Sequence, residues 1–282
     1  MACWQRFGNP VTIWLTACDP VRGREGGDHV RFVLVHGGFH GAWCWERVIP
    51  ELRRLGHAAV AVDLPGHGER RHETAPTTFE GRTRAIVEVA QPGDVLVGHS
   101  GGGFDITHAA DAVPGLISHL CYLAAGLPRE GRTWPEAMAM RADGTIGDFD
   151  AAGLLGHLTF HEDGSMSVAS AQAAREKFFH DCDDDTVQRA FERLCAERGG
   201  ETSATPVSLP SFWAAGLPRS FIRCRQDRAQ PRWNADLVAE RLGVSRLEID
   251  SSHSPFLSRP RELAQLLVDA TTTTPIGPLN PG

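Results

Sequence analysis

Residues Asp94-Val95-Leu96-Val97 make a short apolar run that leads directly into Gly98-His99-Ser100-Gly101-Gly102, and a helix-like stretch follows. A strand, a G-x-S-x-G turn and a helix in that order describe a nucleophile elbow. The turn is sharp enough to strain the backbone of the serine, whose Oγ then stands clear of the sheet edge. The flanking glycines carry no side chain to clash there. The five-letter pattern is weak alone, because a Gly-rich turn with a solvated serine has the same letters. Its surroundings give it weight.

Those surroundings read as an α/β fold. Apolar runs at 30–35, 58–64, 94–97, 117–124, 219–224 and 245–249 alternate with helical patterns at 43–56, 79–90, 101–112, 231–242 and 260–270. Continuously apolar strands separated by helices imply a doubly wound, mostly parallel sheet covered on both faces. The rhythm breaks at residue 128. From there to 213 the chain is polar, irregular and rich in acids. Within it, 158–160 and 166–168 flank Glu162-Asp163-Gly164 as a hairpin, and 171–179 and 186–198 read as helices. The segment reads as a lid inserted over the sheet edge, with two ordinary crossover connections as the alternative. The organisation is therefore an N-terminal extension at 1–29, a core at 30–127 and 214–270, a lid at 128–213, and a Thr-, Pro- and Gly-rich tail at 271–282 expected to be disordered.

Composition narrows the function classes. The 282 residues suffice for a sizeable core. A net charge of −7 without a basic stripe argues against nucleic acid as a partner. No apolar stretch reaches membrane-spanning length. The run at 11–17 lacks a basic leader and is followed by Asp19-Pro20, so it reads as an extra strand or arm rather than a signal peptide. Seven cysteines at irregular spacing, without C-x-x-C, argue against a disulfide framework and fit a reducing cytoplasmic compartment. His36, His40, His67 and His72 lack metal-ligand spacing, and His67 and His72 are expected on a surface loop. No phosphate-cradling motif is present, so neither a metal nor a cofactor is expected.

A serine hydroxyl needs a base, and the base an orienting carboxylate. In a nucleophile-elbow fold these follow the serine in the order acid, then His, at the ends of later strands. Asp227 follows the strand at 219–224, and His253 follows the strand at 245–249. Asp250 competes for the role of acid but shares a loop with the candidate His. His99 adjoins the serine and is expected to point away from it. Developing negative charge needs backbone N–H donors. Gly101 supplies one by position, and Gly38, in the Gly-rich loop His36-Gly37-Gly38-Phe39-His40-Gly41, is the candidate for the second. Trp134, Phe160, Phe178 and Phe212 of the lid, with Phe39 and His40 of that loop, are candidates for the pocket wall. The lid aromatics would serve equally as lid core.

The stretch Phe32-Val33-Leu34-Val35-His36-Gly37-Gly38-Phe39-His40-Gly41-Ala42-Trp43-Cys44-Trp45 resembles the opening motif of the plant methylesterase and hydroxynitrile lyase family of α/β-hydrolases. Gly56-His57, Asp63-Leu64, the elbow, and Asp227 with His253 are similar too. Bacterial α/β-hydrolases share the layout, including Gln226-Asp227-Arg228, Ser254-Pro255-Phe256-Leu257 and the lid string Lys177-Phe178-Phe179-His180-Asp181-Cys182. The likeness covers about residues 30 to 270. It implies a Ser100–His253–Asp227 triad with oxyanion donors at Gly38 and Gly101, and it admits a homodimer. The family's lyases carry Thr where this chain has Gly37 and Lys where it has Ser254, so the resemblance favours hydrolysis of a small carboxylic ester over cyanohydrin cleavage. Ser252 stands where the family often has Gly, with no chemical consequence. Two further readings stay open: a lactone, amide or C–C bond cut by the same triad, and a ligand-binding protein that kept the fold without the chemistry.

Overall fold

A computed structural model describes residues 29–73, 77–148 and 150–282. The N-terminal extension, with its expected strand or arm at 11–17, lies outside the described residues but for His29. Eight strands occur among those described: β1 (Arg31–Val35), β2 (Ala58–Val62), β3 (Asp94–His99), β4 (Ile117–Leu123), β5 (Leu158–Phe160), β6 (Met166–Val168), β7 (Arg219–Cys224) and β8 (Arg246–Ile249). Six of them form one sheet in the order β2-β1-β3-β4-β7-β8, and every pairing in it is parallel. This is the doubly wound sheet that the apolar runs imply.

Strand alternation sends neighbouring residues to opposite faces, which explains why these runs are apolar throughout. Phe32, Leu34, Val95, Val97, Cys121 and Leu123 enter the core on one face. Val33, Val35, Leu96, Leu120, Tyr122 and Phe221 enter the core on the other. The helices Val48–Arg54 and Pro260–Ala270 cover the first face; Phe79–Val87, Gly102–Ala112 and Arg232–Leu242 cover the second. Boundaries follow local chemistry. Thr78 caps the helix Phe79–Val87 by accepting from Gly81 N, and left-handed Gly243 ends Arg232–Leu242.

Between β4 and β7 the chain adds short elements. The hairpin β5–β6 is antiparallel. The helix Ala171–Ala174, capped by Ser170, runs into a π-helical turn at Arg175–Phe179. The helix Asp184–Phe191 is capped by Asp183. The helix Pro210–Ala215 straddles the expected lid boundary at 213, and Phe212 within it is buried in the sheet core.

The tail at 271–282, expected to be disordered, instead lies along the body. Ile276 N donates to Gly243 O at 2.7 Å and Asn280 N to Arg241 O at 2.8 Å. Buried Arg219 and Arg241 reach back to Gly277 O at 2.8 Å and Pro281 O at 3.0 Å. Two buried guanidiniums need acceptors, and the tail's backbone carbonyls supply one to each, beside those of Leu217, Leu242, Leu127 and Pro128. A reading of side-chain polarity does not register that need.

Candidate active site

The elbow after β3 is built as its sequence implies. Ser100 has φ 52°, in the left-handed region that a non-glycine residue rarely enters. A Cβ on Gly98 would stand 2.5 Å from Gly102 O, and one on Gly102 would stand 2.6 Å from His36 O. Only glycine permits that approach. The helix Gly102–Ala112 begins at once, so its positive N-terminal end faces the space over Ser100.

Asp227 and His253 come from the ends of β7 and β8. His253 Nδ1 donates to Asp227 Oδ2 at 2.7 Å. The other oxygen, Oδ1, accepts from Ala229 N at 2.8 Å and Gln230 N at 3.2 Å. The carboxylate is thus oriented by its own loop before it meets the imidazole. Asp250 is exposed and accepts from Gln226 Nε2 instead. Ser100 and His253 line one cleft. Their side chains make no hydrogen bond to each other here, and such a bond commonly tightens only around substrate.

Gly38 N and Gly101 converge: a Cβ on Gly101 would stand 3.8 Å from Gly38 N. Among the described residues neither the Gly38 nor the Gly101 amide donates to a protein acceptor. Gly37 lies tight against Ser100, since a Cβ there would meet Ser100 Cβ at 2.7 Å and His99 O at 2.9 Å.

The cleft measures about 290 Å³ and its wall is mostly apolar. Of the expected wall residues, Phe39, His40, Trp134 and Phe178 line it. Phe160 and Phe212 do not. Phe160 closes the short strand β5 and is 63% exposed. Phe212 is fully buried on the second face of the sheet, beside Trp213. An aromatic in an irregular segment has three destinations, namely cleft, core or solvent, and local sequence does not separate them.

Several residues near the cleft carry roles that motif reading missed. His67, expected on the surface, is buried, and its Nε2 lies 3.0 Å from Glu197 Oε2. Arg82 forms a bidentate pair with Asp105 at 2.6 and 2.9 Å. Burial opposes the charge on Glu197, but His67, Arg82 and the Phe39 amide outweigh it and hold the carboxyl down to about 2. His99 does not simply point away from the site: its Nε2 donates to His253 O at 3.0 Å. Burial, followed by the charge on His253, keeps His99 well below the usual imidazole range. Ser252 also has a consequence. Its Oγ donates to Phe178 O at 2.7 Å, and its N to Asp181 Oδ2 at 2.9 Å. His180 Nε2 donates to Gln226 O at 2.9 Å. The lid string therefore grips the loops that carry Asp227 and His253. Each of these contacts joins residues far apart in the chain, and no local pattern announces them. No group of three or more potential metal ligands occurs among the described residues.

A sheet with this strand order, a strained serine after β3, and an acid–histidine pair at the ends of β7 and β8 define the α/β-hydrolase class. The family described as the alpha/beta hydrolase family matches residues 32–266, and the chain belongs to it. Esterase PIR7B of Oryza sativa subsp. japonica is 40% identical over 267 residues, covering 84% of this chain and 94% of that protein. Methylesterase 1 of Arabidopsis thaliana is 30% identical over 259 residues, covering 83% and 92%. The crystal structure of polyneuridine aldehyde esterase superposes with a TM-score of 0.72 at 26% identity, covering 86% of this chain and 99% of that one.

Proposed function

We propose that the protein is a serine hydrolase of small carboxylic esters, working through an acyl-enzyme on Ser100. The observation that carries this reading is the 2.7 Å pair of His253 Nδ1 and Asp227 Oδ2, in a cleft that Ser100, Gly38 and Gly101 also line. The names of its relatives, esterase and methylesterase, point the same way.

With its Nδ1–H held by Asp227, the imidazole presents an unprotonated Nε2 to the serine hydroxyl. His253 takes the Ser100 proton as Oγ attacks the ester carbonyl. The carbonyl oxygen becomes an oxyanion and accepts from Gly38 N–H and Gly101 N–H. Collapse of the tetrahedral species breaks the C–O bond, and the proton on His253 passes to the leaving alkoxide. Water, deprotonated by His253, then attacks the acyl-enzyme and regenerates Ser100 with release of the acid.

The wall favours a largely apolar substrate, because Phe39, Phe104, Trp134, Met138 and Phe178 make up much of it. Cyanohydrin cleavage is disfavoured, since a side chain at position 37 collides with Ser100 and position 254 holds a buried serine rather than a lysine. The described cysteines Cys44, Cys121, Cys182, Cys195 and Cys224 are all free thiols, which favours a reducing, cytoplasmic setting. The test is turnover of a short-chain p-nitrophenyl ester, with fluorophosphonate labelling, on wild type and Ser100→Ala. Wild type should turn over and label, and the variant should lose about 10⁴-fold or more in kcat and all labelling. Equal turnover in both proteins, or an unlabelled Ser100, would overturn the reading.

A further inference from the structure

The proposed mechanism uses the Gly38 amide but gives no reason for the buried carboxylate beside it. Glu197 belongs to the inserted segment, where its backbone pairs with Met166 in both directions, at 2.8 and 3.0 Å. Its side chain leaves that segment and enters the core loop after β1. Oε2 accepts from Phe39 N at 3.2 Å and lies 3.0 Å from His67 Nε2. A Cβ at position 38 would stand 3.1 Å from the same oxygen. Two residues earlier, Cys195 N donates to Phe39 O at 2.9 Å. Both backbone polar groups of Phe39 are therefore held by the strip at 195–197.

Phe39 needs holding. Its φ is 65°, a left-handed conformation disfavoured for a residue with a bulky side chain. The peptide plane between Gly38 and Phe39 is clamped at its two ends. Its carbonyl accepts from His40 Nδ1 at 2.7 Å, and its N–H donates to Glu197. The Gly38 N–H belongs to the preceding peptide plane, whose carbonyl, Gly37 O, lies 2.8 Å from His36 Nδ1 and accepts from His40 N at 3.4 Å; only the φ and ψ of Gly38, which no side chain restrains, separate it from the clamped plane. His67 and Arg82, whose Nη1 lies 3.7 Å from Glu197 Oε1, stabilise the charge, whereas a developing oxyanion nearby would be repelled by it, so the carboxylate serves the loop and not the oxyanion directly.

We infer that Glu197 is a positioning residue: reaching in from the inserted segment, it fixes the Phe39 amide and thereby keeps the Gly38 N–H aimed at the carbonyl oxygen of the bound ester. This rests on the Ser100 hydrolase reading. It makes the oxyanion site a joint product of core and insertion, incomplete without the strip at 195–197.

Two conservative substitutions separate reach from charge. Glu197→Gln keeps the length and an acceptor oxygen but removes the charge. Glu197→Asp keeps the charge and shortens the reach by one methylene. Losing an oxyanion donor outright costs about 10²–10³-fold in kcat, so a misaimed donor should cost about 10–100-fold. Glu197→Asp is expected to lower kcat, and the rate of fluorophosphonate labelling, by that factor with KM within about 3-fold of wild type. Glu197→Gln is expected to restore kcat to within about 3-fold. The inference is overturned if Glu197→Asp keeps wild-type kcat, if Glu197→Gln falls as far as Glu197→Asp, or if KM rises while kcat holds, which would mark a substrate contact. A lowered melting temperature with unchanged turnover of the folded fraction would also overturn it, since that is a structural role only. Wild-type protein that neither turns over esters nor labels at Ser100 would sink the hydrolase reading itself and this inference with it. Wild type that does both, with variants indistinguishable from it, would sink the inference alone.

Discussion

The sheet core and the inserted segment at 128–213 hold their parts in place by different means. In the core, order comes from parallel strands of four to seven residues and from side chains packed on both faces. Ser100, Asp227 and His253 sit at the ends of three of its strands, and the Asp227 carboxylate is held by the amides of its own loop. In the insertion, the strands are three residues long and the helices four to eight. Elements that short do not hold themselves in water. They are held by side chains that cross to the core: Glu197 on Phe39 and His67, Asp181 on Ser252 and Ser258, His180 on Gln226. The contrast teaches that the core carries the groups that the proposed mechanism uses, while the insertion holds the loops of Asp227 and His253 and the loop after β1 through side chains.

The sharpest way to break this comparison is at the acid, where the two candidate carboxylates differ in how they are held. Asp227 has one oxygen on its own loop and the other on His253, whereas Asp250 is exposed and holds only Gln226. Asp227→Asn should lower kcat by about 10⁴-fold, because an amide at that position no longer fixes the working tautomer of the histidine. Asp250→Asn should leave kcat within about 2-fold. Comparable losses in the two variants, measured by ester turnover under identical conditions, would break the claim that the core loop alone supplies the acid.

Acid stability probes the seam between the two regions. Burial holds His40, His108 and His119 down to about 4, against an ordinary imidazole value of 6.5. It holds His36 and His99 well below that value too. These groups are neutral in the folded chain. Between about 6.5 and 4 the unfolded chain binds more protons, so stability rises with pH across that window. The stabilisation is complete above 6.5 and is lost as pH falls through 4. The shift on Glu197 has the same sign but acts below its ordinary value of 4.5. His40 packs edge-on against Phe178 and Phe179 of the insertion. The melting temperature should therefore be lower at pH 5 than at pH 7.5, and insertion and core should loosen together. An unchanged melting temperature would show that the seam histidines are not held neutral.

The same contrast explains what could be read from sequence. The six strands of the sheet are announced by runs such as Phe32 to Val35, and the elbow by glycines that nothing else could replace, because these are local requirements. The pairing of Asp227 with His253 was readable from order and strand-end position. Glu197, His67, His99 and Ser252 were not, because their work is done by contacts between residues more than sixty positions apart. The tail failed for a related reason: its Thr, Pro and Gly letters describe side chains, whereas its carbonyls answer two buried arginines.

Phe160 and Phe212 sharpen the comparison at its smallest scale. Both are aromatics of the stretch 128–213 that the sequence marks as the lid, and neither lines the cleft. Phe212 is fully buried beneath the helix Pro210–Ala215, on the second face of the sheet, where its removal would leave a cavity that close-packed neighbours cannot fill. Phe212→Ala should cost about 3–5 kcal/mol of stability, read as a large fall in melting temperature, with kcat of the folded fraction preserved. Phe160, at 63% exposure, has little to lose. Phe160→Ala should shift stability by less than about 0.5 kcal/mol and leave kcat and KM alone. If Phe160→Ala raised KM several-fold, the hairpin would have to fold over the cleft when substrate binds. If Phe212→Ala were as harmless as Phe160→Ala, the boundary between core and insertion would belong at 213 after all, and not before the helix that begins at Pro210.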